Sequence, residues 1–116
     1  MPACTKGQVD ETQKAFMLEI EMSVPPTASK IESVVEAACV AEGLRLTLKD
    51  TLAKYPGCVH WHFKKGVQIG TLEVTWWETQ RRLWFSVQAG RKGEWMEAAL
   101  PRLKRALEKA MAHKTR

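Results

Sequence analysis

The chain has 116 residues, 45% of them apolar and 27% charged, with a net charge of +5. That length suits one domain rather than two independent cores, and the composition is that of a folded chain, not a disordered or fibrous one. No stretch nears the roughly 18 apolar residues of a membrane span, Met1–Gly7 has no apolar signal core, and Cys4, Cys39 and Cys58 form no CxxC pair. The expectation is a cytoplasmic, reducing location, without disulfides or a membrane partner.

Residues 1–13 are polar and aperiodic and are expected to form a disordered leader, ahead of a single α+β domain over 14–112 and a basic tail at 113–116. Phe16, Leu18, Ile20, Met22 and Val24 alternate with Met17, Glu19, Glu21 and Ser23, the period of a half-buried strand, which Pro25-Pro26 stops. Thr27 or Ser29 is placed to cap a helix, and Ser29 with Glu32 has the capping-box spacing. Ile31, Val34, Val35, Ala38 and Ala41 recur at helical intervals, Cys39 reads as a small core residue beside them, and Gly43 suits the left-handed position past the helix end.

Leu44, Leu46 and Leu48 alternate with Arg45, Thr47 and Lys49 in a second strand, and Pro56-Gly57 marks a turn after an ambiguous stretch over 50–57. A three-strand meander follows, over Cys58–Lys64, Ile69–Trp77 and Arg82–Gln88. Apolar parity fixes which registers are allowed, because a slip of one residue reverses the faces. For the first hairpin, a tight Lys65-Gly66 turn sets Trp61 opposite Gly70, whereas a longer loop sets His60 opposite Glu73. For the second, Trp76 should pair with Leu83, Val74 with Phe85 and Thr75 with Trp84. Met96, Leu100, Leu103, Leu107 and Ala110 form the stripe of a last helix, in which Pro101 predicts a kink or a fresh start. The order is β-α-β-β-β-β-α, an α+β fold with an antiparallel sheet of four to five strands and two helices packed on one face.

The five tryptophans fall within residues 61–95 and divide between two sheet faces. Trp61 and Trp76 share parity with Val59, Phe63, Leu72 and Val74, the set the helices should cover. Trp77 and Trp84 share a face with His60, His62, Glu73, Thr75, Arg82 and Ser86. Indoles are costly to leave in water, so that face is expected to meet something. The leading expectation is a small interaction or ligand-binding protein that self-associates, or docks a protein partner, through this face. The alternative is single-stranded nucleic acid stacked on the indoles and held by a basic rim of Lys64, Lys65, Arg81, Arg91 and Lys92. Charge supports such a rim: residues 1–80 carry eight Lys/Arg against ten Asp/Glu, and residues 81–116 carry ten against three. Arg102, Arg105 and Lys109 could extend it along the last helix, though a mixed-charge solvated surface, with Glu94, Glu97 and Glu108 alongside, accounts for them better.

Cys58-x-His60-x-His62 is the one metal-like spacing. Alternate strand residues point the same way, and Glu73 or His113 could complete a set. His-x-His is a weak signal and ordinary polar strand positions explain it. No catalytic residue, cofactor-binding motif or phosphate loop is identifiable, and a Cys58–histidine pair lacks an orienting group. The helix–three strands–helix order of residues 29–112 is similar to that of the double-stranded RNA-binding domain. The basic motif that opens the second helix of that domain is not reproduced, since Arg91-Lys92-Gly93 runs into Glu94. The order implies no role for any residue here.

Overall fold

The computed structural model describes residues 16–112. The expected leader and tail, with Cys4 and His113, lie outside the described residues. The elements run β1 (Phe16–Met22), α1 (Ile31–Ala41), β2 (Arg45–Asp50), β3 (Val59–Lys64), β4 (Leu72–Trp77), a single 3-10 turn (Glu78–Gln80), β5 (Arg82–Gln88) and α2 (Trp95–Ala112). This is the expected α+β order. The five strands form one antiparallel sheet in the order β1-β5-β4-β3-β2, so the first strand docks against the last.

Helical spacing dictates the layer above the sheet. Ile31, Val35 and Cys39 of α1, each four residues from the next, are buried, as are Met96, Leu100, Leu103, Leu107 and Met111 of α2. They close over Trp61, Phe63, Leu72, Val74, Trp76, Leu83, Phe85 and Val87 in one apolar core. Trp61 is fully buried but keeps its indole N–H satisfied, donating to Glu36 Oε2 at 2.9 Å. Burial pushes the Cys39 thiol up to about 12, helped by the charges of Glu42 and Glu36.

Local chemistry departs from expectation at the helix ends. Neither Thr27 nor Ser29 caps α1. Lys30 occupies that position in the left-handed conformation (φ 56°) without a side-chain cap bond. The preceding segment is held instead from the far end of the sheet, where the Arg81 guanidinium donates to the carbonyls of Pro25 (3.0 Å) and Ala28 (2.9 Å). Pro101 does not divide α2, which runs unbroken from Trp95 to Ala112. Its ring lies on the exposed side, while buried Ala99, Leu100 and Leu103 hold the adjoining turns to the core.

The second hairpin has the expected register: Thr75 faces Trp84, Val74 faces Phe85 and Trp76 faces Leu83. The first has neither of the expected ones. Trp61 pairs with Val74 and His62 with Glu73, so parity holds but the connection is longer. β4 starts at Leu72, not Ile69, because Gly70 turns to φ +119° and the Thr71 N–H donates to the Arg91 carbonyl instead of a strand partner.

Both edge strands carry an irregularity. The register of β1 shifts between Phe16 and Leu18, and that of β2 between Leu46 and Leu48. An extra residue in a strand reverses its faces. Leu46 therefore sits opposite Phe63 on the helix side, but Leu48 sits opposite His62 on the other side. The uniform Leu44–Leu46–Leu48 face does not exist.

Candidate functional site

The helix-free face of the sheet is a cup rather than an open plane. The segment that follows β2, residues 51–58, folds back over one end of it. Thr51 Oγ1 donates to the Cys58 carbonyl at 2.6 Å, and the Leu52 N–H donates to Cys58 Sγ at 3.3 Å. This closure brings the Tyr55 ring over the sheet, edge-on to Trp84 with centroids 5.1 Å apart and tilted against Trp77 at 4.9 Å. Trp77 Nε1 donates to the Pro56 carbonyl at 3.1 Å. The result overturns the expectation of an exposed indole pair: Trp84 is 5% exposed and Trp77 is half-buried. The cover is the ambiguous 50–57 stretch, whose apolar Leu52 and Tyr55 were the available signal.

Beside this cover lies a cavity of about 260 Å³ to which every strand contributes. Glu19 comes from β1, Trp84, Ser86 and Gln88 from β5, Glu73 and Thr75 from β4, His60 and His62 from β3, and Leu48 and Asp50 from β2. Leu48 reaches it only because the shift in β2 turned that residue over.

The cavity floor is a polar network centred on Glu73, which is 2% exposed. Its Oε1 lies 3.1 Å from His60 Nε2, and its Oε2 accepts from Gln88 Nε2 at 2.6 Å, with His62 Nε2 at 3.8 Å and Arg91 Nη1 at 3.7 Å. The other ring nitrogen of His60, Nδ1, lies 2.8 Å from Thr75 Oγ1. The two imidazoles meet edge-on, 5.1 Å between centroids. Burial opposes ionisation of Glu73, but the His60 hydrogen bond, the adjacent histidines and Gln88 together hold its carboxyl below the usual range. Burial also presses the His62 imidazole below its ordinary value, against the pull of the Glu73 charge.

Of the residues expected on this face, His60, His62, Glu73, Thr75, Trp84 and Ser86 converge on the cavity. Arg82 stands outside it, paired with Glu21 (2.8 and 2.9 Å) and stacked on Trp84 at 4.9 Å. The five cations of the expected basic rim are engaged in different directions. Arg81 is tied to the Pro25–Ala28 segment and Lys65 donates to the Glu42 carbonyl at the end of α1, both toward the helix side. Lys64 donates to the Gly70 carbonyl and Lys92 pairs with Glu97, leaving Arg91 beside the cavity floor. Arg102 is likewise engaged, by Glu42.

Cys58 is separate from the histidines, its thiol serving the 51–58 closure. The ligand atoms of His60, His62 and Glu73 instead lie within 4.8 Å of one another. Gln88, expected as the last residue of β5 but not as a site residue, joins the network by donating to Glu73. Thr75, His60 and Glu73 stand in the order hydroxyl, imidazole, carboxylate. Thr75 is 1% exposed, which leaves its hydroxyl little room to attack a substrate carbon.

No protein-family model matches the chain, and no curated protein or solved structure gives a significant match. Among the described residues, no helix is long and apolar enough to cross a membrane.

Proposed function

We propose that this chain is a binding protein for a small polar molecule, received in the cup on the helix-free face. One observation carries the proposal: a carboxylate and two imidazoles are gathered at the floor of a cavity to which all five strands contribute. Withdrawing a carboxylate from water costs several kcal/mol before its partners compensate, and an apolar replacement is often at least as stable. Burying Glu73 on a face that the hydrophobic core does not require therefore points to use rather than to stability. The volume lies just under the range of about 300–1,000 Å³ typical of drug-sized ligands, which suits a smaller molecule. Its wall combines apolar and aromatic side chains (Leu48, Leu52, Tyr55, Trp84) with the charged Glu19, Asp50 and Lys54, and its floor offers directional hydrogen-bonding groups.

Self-association through exposed indoles has less to recommend it, since Tyr55 already covers Trp84 within the chain. Nucleic-acid binding loses its continuous rim once Lys65 and Arg81 are engaged toward the helices.

Ligand-observed NMR with a library of small polar aromatic compounds tests the proposal. Hits should bind the wild type and be lost in Ser86→Leu, which fills the floor. No hits, or hits indifferent to that substitution, would refute it.

A further inference from the structure

We infer that His60, His62 and Glu73 bind one divalent transition-metal ion, with a coordination position left open to the cavity. The inference deepens the ligand-binding reading and shares its cavity, but the metal alone suffices to test it.

The geometry is close to what a shared ion requires. Donors bound at about 2.0–2.2 Å to one ion sit roughly 3–3.5 Å apart. His60 Nε2 and Glu73 Oε1 are 3.1 Å apart, and His62 Nε2 is 3.8 Å from the other carboxylate oxygen. The three donors lie within 4.8 Å of one another, so a shared ion requires the His62 side chain, 21% exposed, to turn toward the other two. Two imidazoles and a carboxylate favour zinc or ferrous iron over magnesium or calcium, and the lack of a thiolate disfavours cuprous copper. Three protein donors leave room for a water or a ligand atom from the cavity side.

The surroundings also resemble a metal site. A ligating histidine usually directs its second nitrogen to an oxygen that fixes the tautomer, and Thr75 Oγ1 stands 2.8 Å from His60 Nδ1. His60 Nε2 faces Glu73 and Nδ1 faces the Thr75 hydroxyl, which can donate or accept as the tautomer requires. With metal, Nε2 gives its lone pair to the ion and the ring proton resides on Nδ1, donating to Thr75. Gln88 steadies the free carboxylate oxygen in the same manner. Two cations among the described residues oppose the ion: Lys64, whose charge acts on His62, and Arg91, 3.7 Å from Glu73 Oε2, with a side chain about half exposed.

The test uses the full chain, stripped with chelator and titrated with zinc by calorimetry and with cobalt by visible absorption. One equivalent should bind, raising the unfolding midpoint as metal is added. Thr75→Val should weaken binding about 10-fold, His62→Ala and Glu73→Gln should weaken it further, and Arg91→Ala should strengthen it. Cys58→Ser should bind as the wild type does. If Glu73→Gln does not fold, the partly exposed His62 still decides the matter, with its unfolding curve in the absence of metal as the control. No saturable uptake by the wild type overturns the inference, as does a His62→Ala variant that binds equally well or a Cys58→Ser variant that loses binding. Metal uptake without hits in the NMR screen would sustain the ion and refute the organic ligand; the reverse result would do the opposite.

Discussion

Tyr55 meets the edge of Trp84 at 5.1 Å, and that contact changes the character of a whole sheet face. It turns what would be a solvent-facing aromatic pair into the end wall of a cavity. Aromatic pairs of this kind are worth about 0.5–1.5 kcal/mol beyond the area they bury. Tyr55→Ala should therefore destabilise the protein by about 1–3 kcal/mol in urea unfolding and shift the native tryptophan emission to the red. An unchanged emission maximum would mean that the 51–58 segment does not cover Trp84 in solution.

The turn before β4 predicts a sharp contrast between two glycines. A Cβ on Gly93 would overlap the Ile69 carbonyl oxygen, whereas one on Gly66 meets nothing within 4 Å and suffers only from its φ of +55°. Gly93→Ala should cost about 1–3 kcal/mol or more, and Gly66→Ala about 1 kcal/mol. Paired denaturation curves measure both. Equal costs would show that the 66–71 and 90–93 segments are not packed as described.

Glu36 links acid stability to the core. The hydrogen bond from Lys49, then that from the Trp61 indole, holds its carboxyl below the ordinary 4.5 against the opposing effect of burial. A lowered folded value stabilises the native state above the unfolded value and ceases to do so as the pH falls through the folded one. The stability gap between wild type and Glu36→Gln should therefore be constant near neutrality and narrow below about pH 4.5. The carboxylate is about one-third exposed, so the effect should be modest. A gap independent of pH down to 3 would contradict the pairing.

Cys39 should resist alkylation in the native state, since its thiol is fully buried and raised to about 12. Peptide mass spectrometry after maleimide treatment at pH 8 should find it unmodified until denaturant is added. Rapid native labelling would place α1 away from the sheet.

Much of this fold is written in periodicity. The alternation in β4 and β5 limited their pairing to registers that put Val74, Trp76, Leu83 and Phe85 on a common face, and the short connection between them selected the one adopted. The stripes of α1 and α2 likewise announced the helix layer. What escaped was whatever leaves periodicity intact or lacks it. The extra residue in β2 has no compositional mark, yet it delivers Leu48 and Asp50 to the cavity. Ile69 looks like a strand residue by type, but Gly70 takes the chain into a turn. His60, His62 and Glu73 could be assigned to one face from parity alone. Their convergence depends on His62 pairing with Glu73, and loop length, which parity does not determine, sets that pairing.

The shifts in register near both margins of the sheet have a consequence for neighbours. A margin that breaks step, and that carries Glu19 and Glu21 on one side and Arg45, Lys49 and Asp50 on the other, is a poor template for a foreign strand. The irregularity that shapes the cup also discourages the sheet from growing sideways, so a concave interior and resistance to fibrous stacking have a common origin.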